Sequence, residues 1–310
     1  MRRFAALCAF FALAWSASAP ARTLEVGQAK EFKSPSAAVA AAHDGDRIAI
    51  SPGEYFDCAA IGQSNLTIEG VGDPAKVVMT DKTCEGKAIL VTKGQNVTVR
   101  NLTLTRARVP DNNGAGIRDE ANGLVVDHVL FVNNQNGILS GRQGGTMTVR
   151  DSLFDRNGSC IGGCAHGLYV GNLDLLRVEH CHFVGTKQAH DLKSRALRTE
   201  VTDSTLEDGP EGTGSYKIDI SNGGSLVARN NTLEKGPKAE NHTAFIMVGE
   251  EGVTQPTKEF LVENNTARND GDYQTLLVRN LTATEAILRG NKLTGAITPL
   301  LGDGQVSAAQ

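Results

Sequence analysis

Apolar residues along this chain come in short, widely spaced pairs and not in helical or heptad runs. A β-branched or aliphatic residue is followed by polar or small residues and then by a second apolar residue five positions on. The pairs are Val99 with Leu104, Val126 with Phe131, Val149 with Phe154, Val178 with Phe183, Val201 with Leu206, Ala228 with Leu233, Val262 with Ala267 and Leu288 with Leu293. Ile68 opens a weaker copy, and successive first residues lie 23 to 34 positions apart with a mean of 27.5. About ten residues before most of these anchors stands another apolar centre, at Ile89, Ile117, Ile138, Leu168, Leu192, Ile218, Ile246 and Leu277. Each repeat thus carries at least two short strands, with too little apolar surface to fold alone. Stacked repeats bury one another's inward residues in a continuous aliphatic core.

The leucine-rich repeat signature is absent, the steps vary too much for it, and no hexapeptide period of a left-handed β-helix appears. Ahead of the repeats, Ser36–His43 reads as a short helix and Asp44–Tyr55 as a first turn and strand. The third residue after the anchor becomes Asn231, Asn265 and Asn291 in the later repeats, and Cys181 occupies the same position as a buried, inert turn residue. This pattern resembles the right-handed parallel β-helix proteins of the pectin-lyase-like superfamily, whose internal Asn stacks it shares. The resemblance implies an all-β, single-stranded solenoid of about nine coils over residues 22–310, with a short N-terminal capping helix.

Composition agrees with many turns: 34 Gly and 20 Asn argue against a helical bundle, and 40% apolar residues argue against disorder. Arg2 and Arg3, the apolar run Phe4–Trp15 and the small residues up to Ala21 read as a signal peptide cleaved near Ala21. Export then predicts a periplasmic or secreted protein, with no membrane insertion of the mature chain. Its removal leaves 29 basic against 35 acidic residues, a net charge of −6, and takes away the one Trp, Trp15. An oxidising compartment permits disulfides, and five Cys remain. Cys160 with Cys164 and Cys58 with Cys84 are the expected pairs; a zinc site on Cys160 and Cys164 lacks its second C-x-x-C.

Candidate chemistry follows from aligning the second strands. With Ile138, Leu168, Leu192, Ile218 and Ile246 inward, alternation predicts an outward column Leu139, Tyr169, Lys193, Asp219, Met247. It predicts another, two residues earlier, of Gly137, Gly167, Asp191, Lys217, Phe245. In that register Asp191 stacks on Lys217 and Lys193 on Asp219, pairs that a structural ladder also explains. The segment Lys187–Arg198 is a positive patch on an acidic protein, the arrangement that holds a polyanion. His166, His190 and Tyr216 form a further column beside it.

Elimination on a uronate-containing polysaccharide needs a cation for the sugar carboxylate, a base for the proton alpha to it and an acid for the leaving oxygen. Lys193 is the candidate base if crowding cations depress its pKa, Arg195 or Lys217 the carboxylate partner, and Tyr216 or His190 the acid. Tyr169, Asp191, Asp219, His166 and Phe245 line the substrate face. Lys193-Ser194 resembles the Lys-Ser strand of the chondroitinase B and alginate lyase branch. In that branch Lys is the base, and an Arg-His-Gly stretch one coil later supplies an Arg; this chain has Lys217-Ile218-Asp219 there.

The alternatives are inverting hydrolysis by Asp191 and Asp219, a diagonal of ~7–8 Å, uronate epimerisation without an Asp-Pro-His motif, and a non-catalytic surface β-helix. With no Trp in the mature chain, recognition must rest on charge, so the expected partner is an acidic polysaccharide. No cofactor is implied beyond a calcium ion bound by scattered carboxylates, as in some β-helix lyases. A monomer with no nucleic-acid partner is expected.

Overall fold

In the computed structural model, which describes residues 20–141 and 143–307, the chain winds through three parallel sheets. The leader read in residues 1–21 lies outside this range but for its last two residues. Sheet 1 has twelve strands, from Thr23–Val26 to Gly304–Ser307. Sheet 2 has ten, from Gly53–Tyr55 to Lys292–Thr294, and sheet 3 ten, from Ala59–Ile61 to Ile297–Leu301. Coil after coil pairs in register, which makes an all-β right-handed solenoid of about eleven turns. The turns beyond the expected nine sit at the ends, where the sheet 1 strands Thr23–Val26, Arg47–Ile50 and Gly304–Ser307 hold none of the nine anchors.

The capping helix is Pro35–Ala41, one residue off the expected start. Ser34 Oγ accepts the Ala37 amide at 3.3 Å and Pro35 fills the first turn, where no amide partner is required. Ala38 and Val39 bury against the first coil and close the end of the core.

The five-residue pair of anchors turns out to straddle the corner between sheets 1 and 2. Between Val126 and Phe131, for example, His128 takes φ 54°; Asn101, Asp151, His180, Asp203, Asn230 and Asn264 do the same in their coils, all with φ between 50° and 58°. Short polar side chains tolerate this left-handed bend best, which explains why Asn, Asp and His recur there. The next residue points inward and hands its side chain to the coil below. Ser204 N donates to Asn231 Oδ1 at 3.0 Å, Asn231 N to Asn265 Oδ1 at 2.9 Å and Asn265 N to Asn291 Oδ1 at 3.0 Å. Cys181 sits in this column, buried and free, its thiol pushed up to about 12 by burial.

At the corner where the chain enters sheet 3, alternation breaks: two consecutive side chains point inward. One column is Leu90, Ile117, Ile138, Leu168, Leu192, Ile218, Ile246 and Val278, so Leu90 and Val278 replace the expected Ile89 and Leu277 in register. The other is Ile89, Gly116, Gly137, Gly167, Asp191, Lys217, Phe245 and Leu277, of which the sequence pattern placed Gly137, Gly167, Asp191, Lys217 and Phe245 outside. Its glycines face the stacked rings of Phe131, Phe154 and Phe183, whose centroids are 4.7 and 4.3 Å apart. A Cβ on Gly137 would lie 2.4 Å from Gly167 O and 2.7 Å from Phe154 Cδ1.

Gly137→Ala is therefore expected to cost about 1–3 kcal/mol by overpacking, read from urea unfolding. Gly163→Ala, which meets nothing within 4 Å, is the control. Equal stability of the two variants would show that the Gly137 column faces solvent after all.

Candidate functional site

The outer face of sheet 3 brings together most of the residues singled out from the sequence. In register along the axis stand Arg118, Leu139, Tyr169, Lys193, Asp219 and Met247. Beside them His166, His190 and Tyr216 form a ring stack, with centroids 4.8 and 5.0 Å apart. The stack is tied to the backbone: His190 N donates to His166 Nδ1 and Tyr216 N to His190 Nδ1, each at 3.2 Å. A ring nitrogen that accepts an amide carries no proton, so each imidazole is the Nε2–H tautomer. Burial, reinforced by Lys193, pushes His190 down to about 3; burial also drives His166 well below the usual range. Both are neutral at physiological pH, which removes the imidazolium that a general acid at His190 requires. Tyr216 keeps its proton: burial pushes it up to about 12, and its hydroxyl donates to Glu250 Oε1 at 3.0 Å.

The centre of the face is a charge network. Lys193 Nζ lies 3.3 Å from Asp219 Oδ2 and 2.5 Å from Glu251 Oε1. Arg195 reaches the other oxygen of Glu251 at 2.5 Å, donates from Nε to the Tyr169 hydroxyl at 2.8 Å and bonds Asn222 Oδ1 through Nη1. Asp219 also accepts from Ser221 Oγ at 2.6 Å and has His190 Nε2 at 3.6 Å; burial raises its pKa against the pull of Lys193. The expectation that cations crowd Lys193 is corrected here, because the groups that face it at contact distance are carboxylates. Glu250 and Glu251 were not found from the sequence. They lie in Gly249-Glu-Glu-Gly252, between the strands Ala244–Val248 and Phe260–Glu263, and only the paired glycines hinted at a built turn.

Three predicted site residues lie on the other side of the wall. Asp191, Lys217 and Phe245 are inside the solenoid and fully buried. Lys217 Nζ contacts Asp191 Oδ2 at 3.0 Å and Asp208 Oδ1 at 2.5 Å. Lys217 thus cannot meet a sugar carboxylate, and Asp191 and Asp219, on opposite faces, cannot flank one glycosidic bond. The cause is the paired inward residues at the sheet 3 corner. Both ladder pairs exist, but Asp191 with Lys217 is interior and Lys193 with Asp219 exterior. The interior group extends to Glu234, which accepts from Asp208 N at 2.7 Å and Gly209 N at 2.8 Å. It ends at Lys235, whose Nζ donates to Ser215 O at 2.6 Å and makes no ion pair among the described residues.

Cys58 is bonded to Cys84 and Cys160 to Cys164; the second bond closes the hairpin Ser159–Ala165 that leads straight into His166. Among the described residues Asp127, His128 and Asp151 stand close enough together to hold a metal ion, with Asp127 also paired to Arg150 at 2.8 Å, whereas Asp219 and Glu251 on the outer face of sheet 3 already face Lys193 and Arg195.

Residues 57–233 match the family described as right handed beta helix region. No curated protein matches the chain in sequence. In three dimensions the chain is similar to an alginate lyase from Paenibacillus sp. str. FPU-7, at 19% identity and a TM-score of 0.68, over 91% of this chain and 99% of that one. It is similar to the pectate lyase Pel9A at 15% identity and a TM-score of 0.57, over 92% and 78% of the two chains. A pectin methylesterase from Aspergillus niger gives 12% identity and a TM-score of 0.54, over 94% and 93%. At these identities the likeness is one of fold.

The buried Lys235 yields a pH prediction. Burial, then the nearby Lys217, lowers its pKa to about 7 from the ordinary 10.5. Between these values the unfolded chain holds a proton that the folded chain does not, so stability rises with pH through this window and is lost as pH falls towards 7. Lys235→Met is expected to flatten the dependence, measured as urea midpoints across the window for both proteins. An unchanged slope would show that Lys235 is charged in the fold.

Proposed function

The chain belongs to the right-handed parallel β-helix family of the pectin-lyase-like superfamily, and from that premise we propose an exported lyase that cleaves uronate-containing polysaccharide by β-elimination. The leader-like residues 1–21 support export to the periplasm or beyond the cell. The observation that carries the activity is the pairing of Lys193 and Arg195 on one outer face, with the Tyr169 hydroxyl bonded to Arg195 at 2.8 Å and Lys193 Nζ 5.7 Å from the Tyr169 ring.

Roles follow from these positions. Faced by Asp219 and Glu251, Lys193 is presented as an ammonium, which suits charge neutralisation better than proton removal. Lys193 and Arg195 receive the sugar carboxylate and stabilise the charge that spreads onto it when the alpha carbon loses its proton. The Tyr169 hydroxyl oxygen takes that proton as its own proton passes to the leaving oxygen. The electron pair forms the new carbon–carbon double bond, the bond to the leaving oxygen breaks, and that oxygen keeps the proton that Tyr169 gave it. Atoms and charge balance with no external oxidant or water. Asp219 and the His166–His190–Tyr216 stack hold the face in shape.

A panel of alginate, pectate and glycosaminoglycans is expected to yield unsaturated uronates, seen as new ultraviolet absorbance. Tyr169→Phe should lower kcat by about 10²-fold or more, and Arg195→Ala should lower kcat/KM with a loss of salt-sensitive binding. Reducing ends without new absorbance would overturn elimination in favour of hydrolysis. Salt-sensitive binding with no turnover would leave a polysaccharide-binding module.

A further inference from the structure

The anion that sits on the two site cations belongs to the chain itself. One Glu251 oxygen meets Lys193 Nζ at 2.5 Å and the other meets Arg195 Nη2 at 2.5 Å, so a single carboxylate bridges both groups. That is the bridge the proposed reaction asks of a sugar carboxylate. Partial burial works against the charge of Glu251, but hydrogen bonds from Lys193 and Arg195 outweigh it and hold its carboxyl below the usual range.

The geometry separates this contact from an ordinary structural ion pair. The Glu251 side chain is 41% exposed, against 9% for Lys193 and 23% for Arg195, so the counter-ion is the most open member of the group. Its backbone is fixed: Glu251 N donates to Ser221 O at 2.9 Å, and Asn222 Nδ2 donates to both Glu251 O and Gly252 O at 3.2 Å. Thr254 N and Gln255 N close the turn onto Asn222 O at 2.9 Å. Departure of the carboxylate is thus a rotation of one solvent-facing side chain on a pinned turn. Neither cation is orphaned by it, since Lys193 keeps Asp219, and Arg195 keeps Tyr169 and Asn222.

We infer that Glu251 is a built-in stand-in for the substrate carboxylate, holding Lys193 and Arg195 apart and aimed in the free protein and giving way when a uronate enters. The inference rests on the proposed lyase reading for the identity of the incoming anion. It makes Glu251 a competitor that lowers affinity for an anionic ligand, not a ligand contact. A neutral sugar brings no group to replace it and leaves the bridge in place.

The test is calorimetric binding of hexameric mannuronate and galacturonate oligomers, with cellohexaose as the uncharged probe, to the full chain and to its Glu251→Gln variant. Product absorbance is followed in the same samples. Glu251→Gln is expected to bind the oligouronates about two- to fivefold tighter, the scale of releasing a partly exposed ion pair, with cellohexaose unchanged. Glu251→Asp, too short to bridge both cations, is expected to shift the same way by less, and it carries the test if Glu251→Gln melts markedly lower than the wild type. Equal or weaker oligouronate binding by the folded variants, with wild-type binding and product intact, overturns the inference and leaves the lyase reading standing. Absence of oligouronate binding and product from every protein overturns both.

Discussion

Within the three sheets each interior strand has a counterpart one coil above and one below, at the ~4.8 Å spacing of parallel strands. That repeat is the constraint from which the rest follows. Phenylalanines stack face to face because the coil leaves them no other approach. Inward asparagines feed one another's amides in the corner between sheets 1 and 2. On the outside of sheet 1, charges alternate down one column, with Arg100 on Glu69 at 2.7 Å and Arg150 on Asp127 at 2.8 Å. Like charges at that spacing would repel, and opposite ones stabilise by a few tenths of a kcal/mol each. The functional face obeys the same rule, since Tyr169, Lys193 and Asp219 are neighbours by register and need no loop to assemble them.

The interior corner shows the constraint acting on volume. Glycine stands against each ring of the Phe131, Phe154 and Phe183 stack. Where sheet 2 continues with Leu206 and Leu233, the corner column becomes Asp191 and Lys217, and where it continues with Ala267 the column becomes Phe245. Filling that space with charges is costly unless they are paired. Here Lys217 has two carboxylates, and Asp208 is bonded in turn to the Gly236 amide at 3.0 Å. A slip of one residue in either strand would turn Asp191 or Lys217 out of this column and leave its partner's charge buried and unpaired. The buried pair thus penalises wrong registers two residues away from Lys193 and Asp219, where register matters to the chemistry.

Columns were legible in the sequence wherever strands alternate strictly. The outer set Leu139, Tyr169, Lys193, Asp219, Met247 and the stack of His166, His190 and Tyr216 came from counting alone. The fold was legible for the same reason, because apolar pairs recur once per coil. What was hidden lay at places where counting by two fails. At the sheet 3 corner two consecutive residues turn inward, so Asp191 and Lys217 were read on the wrong face although their pairing was read correctly. Glu251 was hidden for another reason: its turn belongs to the coil two after Lys193, and no periodicity reports how far a turn leans back along the axis. Lys235 follows an inward Leu233 and a Glu234 that strict alternation would put outside, and nothing in that order announces a buried amine.

The charge balance of the face bears on how an acidic protein would meet the acidic polymer proposed as its ligand. Counted from Arg22 on, the chain carries a net charge of −6 and no Trp, so neither long-range attraction nor tryptophan platforms would bring a polyanion in. Locally, Lys193 and Arg195 are matched by Asp219 and Glu251, and the face is close to neutral before anything binds. Adding a sugar carboxylate to such a face would leave one negative charge in excess within a half-buried network, where unmatched charge is expensive. Exchanging it for Glu251 leaves the balance unchanged, because one carboxylate leaves for water as another arrives. The cations need no new desolvation, and the geometry that receives the substrate is already formed. Selectivity for charge then arises from the exchange itself, since only a ligand that brings an anion can restore both bonds that Glu251 gives up.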